Sequence, residues 1–396
     1  MMKKQIIVLS QNAVFDLGSN AGKEVVFRTL LGLSNQFQIH LIAPGSDPHV
    51  EDCIFYPLKD VWFNRFKSIP FLGYLFNFIH VHFLRRSIVK IIKKARISPD
   101  IAYLAGPWMS EIGHSLFTNK IPIVCRYFGV NWNPEKYHTI RQKLKFIQKK
   151  RGYKQFGNLV IMTNDGTRGD EYMLKLGCPP SKLRFWKNGV NFPEITLDKT
   201  ESKEVLVNQW NIDNKHSILL TVSRLASWKK VDRSIRALHV VLQTNPNVTL
   251  IVVGDGEERA KLMLLAMDLG VERNVVFTGA IKHADLGIYY SGTNVFLSFY
   301  DYSNAGNPLF EAMMHSCCII SINSPAMKDF ISNNSAVLLP NFDMSILANE
   351  LIDLLGNQSK QIQLGEAANI EINSRFKNWD DRIQLEILEI MKLIQG

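Results

Sequence analysis
The chain has 396 residues, of which 46% are hydrophobic and 21% charged, and it carries a net charge of +10. That composition suits a globular protein of about two to three domains and excludes a disordered chain, a disulfide-stapled miniature and a membrane-embedded bundle. The charge is uneven: residues 1–195 hold 28 Lys and Arg against 13 Asp and Glu, and residues 196–396 hold 18 against 23, so the first half is suited to face an anionic surface.

The chain opens with Met1-Met2-Lys3-Lys4-Gln5 and a four-residue apolar run, too short for a secretory signal and suited to a first β-strand. Further strand-like runs lie at 39–43, 101–104, 123–126 and 159–162, with helical stretches between them, a spacing that favours parallel β-α-β units. Gly18-Ser19-Asn20-Ala21-Gly22-Lys23-Glu24 imitates a P-loop, but it is one residue short and Glu24 replaces the magnesium-holding hydroxyl. It reads equally as a plain strand-to-helix turn or as a glycine turn whose amides, with Gly22 foremost, approach a phosphate. Five cysteines, Cys53, Cys125, Cys178, Cys317 and Cys318, form no CxxC pair, which suggests reduced, buried thiols and a cytoplasmic compartment.

Between residues 61 and 94, aromatic residues (Trp62, Phe63, Phe66, Phe71, Tyr74, Phe76, Phe78, Phe83) stand beside cations (Arg65, Lys67, Arg85, Arg86, Lys90, Lys93, Lys94). The apolar section 69–84 is only 16 residues long and contains Asn77, His80 and His82, so it is expected to lie on a bilayer and not to cross it. A second basic run at 141–151 repeats the composition. Together they predict peripheral contact with an anionic membrane, at the inner face of the cell membrane, and no nucleic-acid module is recognisable. Asn164-Asp165-Gly166-Thr167 follows a strand: Asp165 could orient an acceptor hydroxyl, although Asx-turn chemistry explains the same letters. Arg126 and Arg168 are further cations expected at strand ends.

Past a charged stretch at 197–204 a second strand series begins, at 218–222, 250–253, 275–277, 295–298, 318–322 and 336–339. The expected organisation is therefore α/β, with two Rossmann-like domains facing across a cleft: residues 1–195 with a returning C-terminal helix at 379–396, and residues 196–378. Gly254-Asp255-Gly256 lacks the third glycine of a dinucleotide fingerprint, having Arg259 there. The ten histidines show no HxxxH or HExxH spacing, so no dedicated metal site is expected.

The second series carries the chemistry. Arg224 ends an apolar strand and Lys229 follows in the same loop, a fork and a point charge suited to phosphate oxygens. Asn307 reads as an N-cap and Pro308 as the first helical residue, leaving helix-opening amides for an anion. Glu311, one turn in, can accept two hydrogen bonds from a ribose diol. A guanidinium, an ammonium and a helix tip suit a departing diphosphate.

In order, Asn188-Gly189-Val190-Asn191, Val222-Ser223-Arg224-Leu225 with Lys229, Val253-Gly254-Asp255-Gly256, Phe277-Thr278-Gly279 and Gly306-Asn307-Pro308-Leu309-Phe310-Glu311 resemble family 4 of the retaining glycosyltransferases. The resemblance implies the GT-B fold, a nucleotide-sugar donor, a lipid-linked or polysaccharide acceptor, and a role in cell-envelope glycan assembly such as lipopolysaccharide or capsule. It places the diphosphate on Arg224 and Lys229, the ribose on Glu311 and the base on the backbone of Thr278, Gly279 and Ala280, with Gly254, Gly306, Asn307, Pro308 and Leu309 completing the donor site and no cofactor beyond the donor. Two features depart from it. Ser303 stands where a Glu is common, so either Asp301 supplies that charge or Ser303 and Asn304 contact the sugar hydroxyls; and Arg126-Tyr127-Phe128-Gly129 lacks the usual His before Gly. The rival readings are another GT-B enzyme, such as a nucleotide-sugar epimerase, and a degenerate module that only docks on membranes.

Overall fold
The computed structural model describes residues 3–12, 21–58, 72–130, 149–191, 197–301, 305–324 and 327–395. The chain divides into two compact units, Met1–Gly189 with Lys377–Gly396, and Val190–Phe376.

Unit 1 is built on seven strands, β1 (Lys4–Ser10), β2 (Phe37–Ala43), β3 (Cys53–Pro57), β4 (Ile101–Ala105), β5 (Ile123–Tyr127), β6 (Leu159–Thr163) and β7 (Leu183–Trp186). They pair in parallel in the order β3-β2-β1-β4-β5-β6-β7. The inner strands are apolar at nearly every position because helices cover both faces. One face packs on α1 (Ala21–Ser34); the other packs on α2 (Leu72–Ala95), α3 (Pro107–Phe117) and α4 (Gly169–Lys175).

Unit 2 has six strands, β8 (Ser217–Val222), β9 (Val248–Val253), β10 (Val275–Gly279), β11 (Val295–Ser298), β12 (Cys318–Ile322) and β13 (Val337–Leu339), all parallel in the order β10-β9-β8-β11-β12-β13. Along β8 the side chains alternate. Ile218, Leu220 and Val222 join the core shared with α5 (Lys199–Trp210), and Leu219 joins the core shared with α6 (Val231–Val241) and α7 (Arg259–Asp268). The first face also carries α8 (Leu286–Ser291), α9 (Asn307–Met314) and, beyond α10 (Met344–Gly356), α11 (Gln358–Arg375). The strand order reverses between β8 and β11, and in open α/β sheets the carboxyl ends at such a reversal are where ligands bind.

The last helix, α12 (Trp379–Gln395), belongs to unit 1, where Trp379, Ile383, Ile387 and Ile390 are buried with α1. Gly32 of α1 makes the approach possible: a Cβ there would stand 2.7 Å from both Ile383 Cγ2 and Ile387 Cδ1. A buried ion cluster fastens the same helix. Glu386 accepts a 2.6 Å hydrogen bond from the Tyr103 hydroxyl and lies 3.5 Å from Arg126 Nε and 3.2 Å from Arg382 Nη2.

Candidate active site
The loops leaving β8 and β9 are zipped together by backbone hydrogen bonds. Ser223 donates to Val253 O at 3.0 Å, Leu225 to Asp255 O at 2.9 Å and Glu258 to Leu225 O at 3.0 Å. Gly254 permits this approach: its φ is 130° and any side chain there would overlap the Ser223 carbonyl. With its backbone held, Arg224 turns its side chain outward, 72% exposed, and meets Glu257 at 3.1 Å.

Lys229 closes the 3₁₀ turn Ser227–Lys229, and Lys230 follows in the left-handed region at φ 51° as the N-cap of α6. The Lys229 ammonium lies 3.6 Å from the ring centroid of Tyr300 and 4.2 Å from that of Trp228. Burial pushes its pKa down from the ordinary lysine value to about 8. Tyr300 is braced by a 3.1 Å hydrogen bond from its hydroxyl to Val222 O at the end of β8. Next to it, Asp301 takes Arg233 at 2.9 Å and Lys230 at 3.3 Å.

The opening of α9 differs from expectation by one residue. Gly306 is the N-cap, Asn307 is the first helical residue with no capping bond from its side chain, and Pro308 is the second. Glycine caps almost as well as asparagine, and a proline is equally at home in the first turn, so the boundary slid without loss. Leu309 and Phe310 both donate to Gly306 O, at 3.0 and 3.2 Å. The amide that this helix can present outward is therefore that of Asn307, fewer than the sequence pattern implied. One turn in, Glu311 accepts from the Tyr290 hydroxyl at 2.8 Å and lies 3.0 Å from His283 Nε2. Burial raises the pKa of Tyr290 and of Tyr300, and the Glu311 charge adds to both. Thr278 and Gly279 end β10, where Gly279 O accepts from Gly254 N at 2.8 Å and from the Thr278 hydroxyl at 2.8 Å; Ala280 follows directly. Arg224, Lys229, Gly254, Thr278, Gly279, Gly306 and Glu311 thus share the carboxyl edge of one parallel sheet.

Ser303 and Asn304 lie outside the described residues. In unit 1, Gly22 falls in the first turn of α1, and the residues before Ala21 back to position 13 lie outside the description. Asp165 forms an Asx-turn: it accepts from Thr167 N at 3.1 Å and from the Thr167 hydroxyl at 2.5 Å, while burial raises its pKa against those bonds. Arg126 corrects the sequence reading. It is wholly buried, donating to Tyr127 O at 2.6 Å and the Thr163 hydroxyl at 2.9 Å besides facing Glu386, so it is a structural cation and not an open strand-end one. Arg168 pairs with Glu171 at 2.8 Å in its own helix. Of the basic aromatic segments, 59–71 and 131–148 lie outside the described residues; α2 exposes Arg85, Arg86, Lys90, Lys93 and Lys94 with Phe83. No described helix is long and apolar enough to cross a membrane.

Trp228 and Tyr300 escaped the sequence reading as partners of Lys229, and His283 as a partner of Glu311. A lone aromatic at a strand end carries no signal until its partner, here tens of residues away, is known.

Residues 202–370 match the family model described as glycosyl transferases group 1. The match lies within unit 2 and covers 169 of the 396 residues, so this unit is similar to the group 1 glycosyl transferases. Among curated relatives it is 22% identical, over 93% of its length and 94% of theirs, to N-acetylgalactosamine-N,N'-diacetylbacillosaminyl-diphospho-undecaprenol 4-alpha-N-acetylgalactosaminyltransferase of Campylobacter jejuni. It is 28% identical to alpha-monoglucosyldiacylglycerol synthase of Streptococcus pneumoniae, a match spanning 36% of this chain and only 31% of that enzyme. Among solved structures, HepE of Anabaena in complex with UDP-glucose superposes with TM-score 0.73 at 17% identity, covering 98% of this chain and 99% of HepE. Sucrose-phosphate synthase of Thermosynechococcus elongatus gives 0.75 at 17% identity, covering 98% of each chain. These likenesses establish the GT-B fold.

Proposed function
We propose that the protein is a glycosyltransferase that moves a hexose or N-acetylhexosamine, with retention of anomeric configuration, from a nucleotide-sugar donor to a lipid-linked or polysaccharide acceptor in cell-envelope glycan or glycolipid synthesis. The observation that carries the donor half is Lys229, an ammonium held on two aromatic faces at the carboxyl edge of the sheet. Arg224 and the opening of α9 supply further positive potential for a leaving diphosphate, so the reaction needs no dedicated metal. The Glu311 carboxylate would accept the ribose diol, exchanging its present His283 contact for it. Ser303 and Asn304 would contact the transferred sugar, and Asp165 would orient an acceptor hydroxyl.

The acceptor half rests on the relatives. The Streptococcus enzyme is named for a diacylglycerol product and the Campylobacter enzyme for an undecaprenol diphosphate substrate. The exposed cations of α2, with Phe83 beside them, suit anionic headgroups, which supports a peripheral position at the cytoplasmic face of the membrane. Lys229→Ala tests the donor half: sugar transfer should fall by about two orders of magnitude while the protein folds normally. Near wild-type turnover in that variant would remove the diphosphate assignment.

A further inference from the structure
Four cations crowd the loop after β8 and the first turn of α6, and three of them face carboxylates. Arg224 meets Glu257 at 3.1 Å, while Lys230 and Arg233 share Asp301 at 3.3 and 2.9 Å. Lys229 is different: among the described residues no carboxylate lies within ion-pair distance of it, and its neighbours are the rings of Tyr300 and Trp228.

We propose that Trp228 and Tyr300 are positioning residues that hold the Lys229 ammonium for the diphosphate of the donor while leaving its charge unneutralised until the substrate arrives. This rests on the donor reading of the site. An aromatic face attracts a cation through its quadrupole without the compact negative charge of a carboxylate, which an incoming phosphate would have to displace. The rings are themselves fixed. The Tyr300 hydroxyl is tied to Val222 O at 3.1 Å, Trp228 meets Tyr300 edge-on at 6.2 Å, and the Asp301 amide donates to Trp228 O at 3.1 Å. Arg233 and Lys230 complete the device by occupying Asp301, the acid next in the chain to Tyr300, and so keeping it from Lys229. The pKa of about 8 at Lys229 agrees with an ammonium that is desolvated and has no anion beside it.

The test is a double-mutant cycle read by titration calorimetry. UDP and GDP are titrated into the intact protein, and the tighter of the two is compared with its monophosphate. Trp228→Leu and Tyr300→Leu should each weaken the diphosphate about tenfold, the range expected of a partly desolvated cation–π contact, and leave the monophosphate within about twofold. Tyr300→Phe, which keeps the ring and gives up only the Val222 bond, should retain most of the affinity. In a Lys229→Met background the same leucine substitutions should cost nothing further. Trp228 is 39% exposed, so its replacement leaves the core intact even where the Tyr300 variant unfolds. Additive losses in the Lys229→Met background, equal losses on the monophosphate, or no loss where Lys229→Met alone weakens binding would each overturn the positioning role. If neither diphosphate binds the wild type, or Lys229→Met binds as tightly as wild type, the donor reading falls and takes this proposal with it.

Discussion

In unit 1, Arg126 and Arg382 are shut away from water around Glu386, whereas in unit 2 Arg224 keeps only an exposed pair with Glu257 and Lys229 stands at a strand edge with its charge open to a ligand. All four are cations. What differs is the company: each buried guanidinium has its carboxylate, a backbone carbonyl and an aromatic face (Phe128 for Arg126 at 4.9 Å, Trp186 for Arg382 at 4.7 Å), so it is spent on holding α12. Lys229 has the aromatic faces and, among the described residues, no carboxylate. The contrast teaches that a cation near a strand end is identified as structural or functional by what answers its charge, and not by its place in the sequence.

The largest effect should come from breaking the structural cluster. Glu386→Leu leaves two guanidiniums buried without their carboxylate and should cost about 3–5 kcal/mol of stability, read from urea unfolding. An unchanged midpoint would mean that the cluster does not fasten α12.

Lys229→Met should do the opposite and stabilise the protein, because the fold disfavours that ammonium. Its pKa falls from 10.5 in the unfolded chain to about 8 in the fold, so between these values the unfolded chain binds more protons and wild-type stability climbs as pH rises from 8 towards 10.5. The variant lacks that climb and should gain on the order of 2 kcal/mol at pH 7. Unfolding curves of the two proteins that stay parallel from pH 7 to 10 would mean that Lys229 is not desolvated.

Arg224→Ala sharpens the comparison from the functional side. Its pair with Glu257 is exposed, so thermal stability should move by less than about 0.5 kcal/mol, while affinity for a nucleoside diphosphate drops about tenfold. A large loss of stability would class Arg224 with Arg126. The smallest effect is expected at Lys230, a non-glycine residue at φ 51°: Lys230→Gly should change stability by less than about 1 kcal/mol, the relief of the left-handed strain being set against glycine's entropy and the lost Asp301 contact. A loss well above that would show the Asp301 contact to be the stronger term.

Much of the fold was legible because strands buried on both faces write continuous apolar runs, as at 218–222 and 295–298. β3 and β7 were not legible. Both are edge strands with half-exposed positions, so their apolar signal is broken. At the site, Arg224, Lys229 and Glu311 could be picked out from residue type and spacing, but their partners could not. Glu386 lies 260 positions beyond Arg126, and Tyr300 lies 71 beyond Lys229; only the folded chain brings such residues together. The one-residue error at the α9 cap had a simpler cause, since Gly306 and Asn307 both serve as N-caps and local chemistry does not choose between them.

The central claim, that an open ammonium at position 229 receives a diphosphate, is tested most directly by counting protons. UDP, or GDP if that is the nucleotide bound, is titrated at pH 8.5 in two buffers of different ionisation enthalpy. A desolvated Lys229 is mostly neutral at that pH and must recover its proton to meet the phosphate, so wild type should take up most of one proton per nucleotide bound and Lys229→Met none. Equal proton uptake in the two proteins, or none in wild type, would contradict the account.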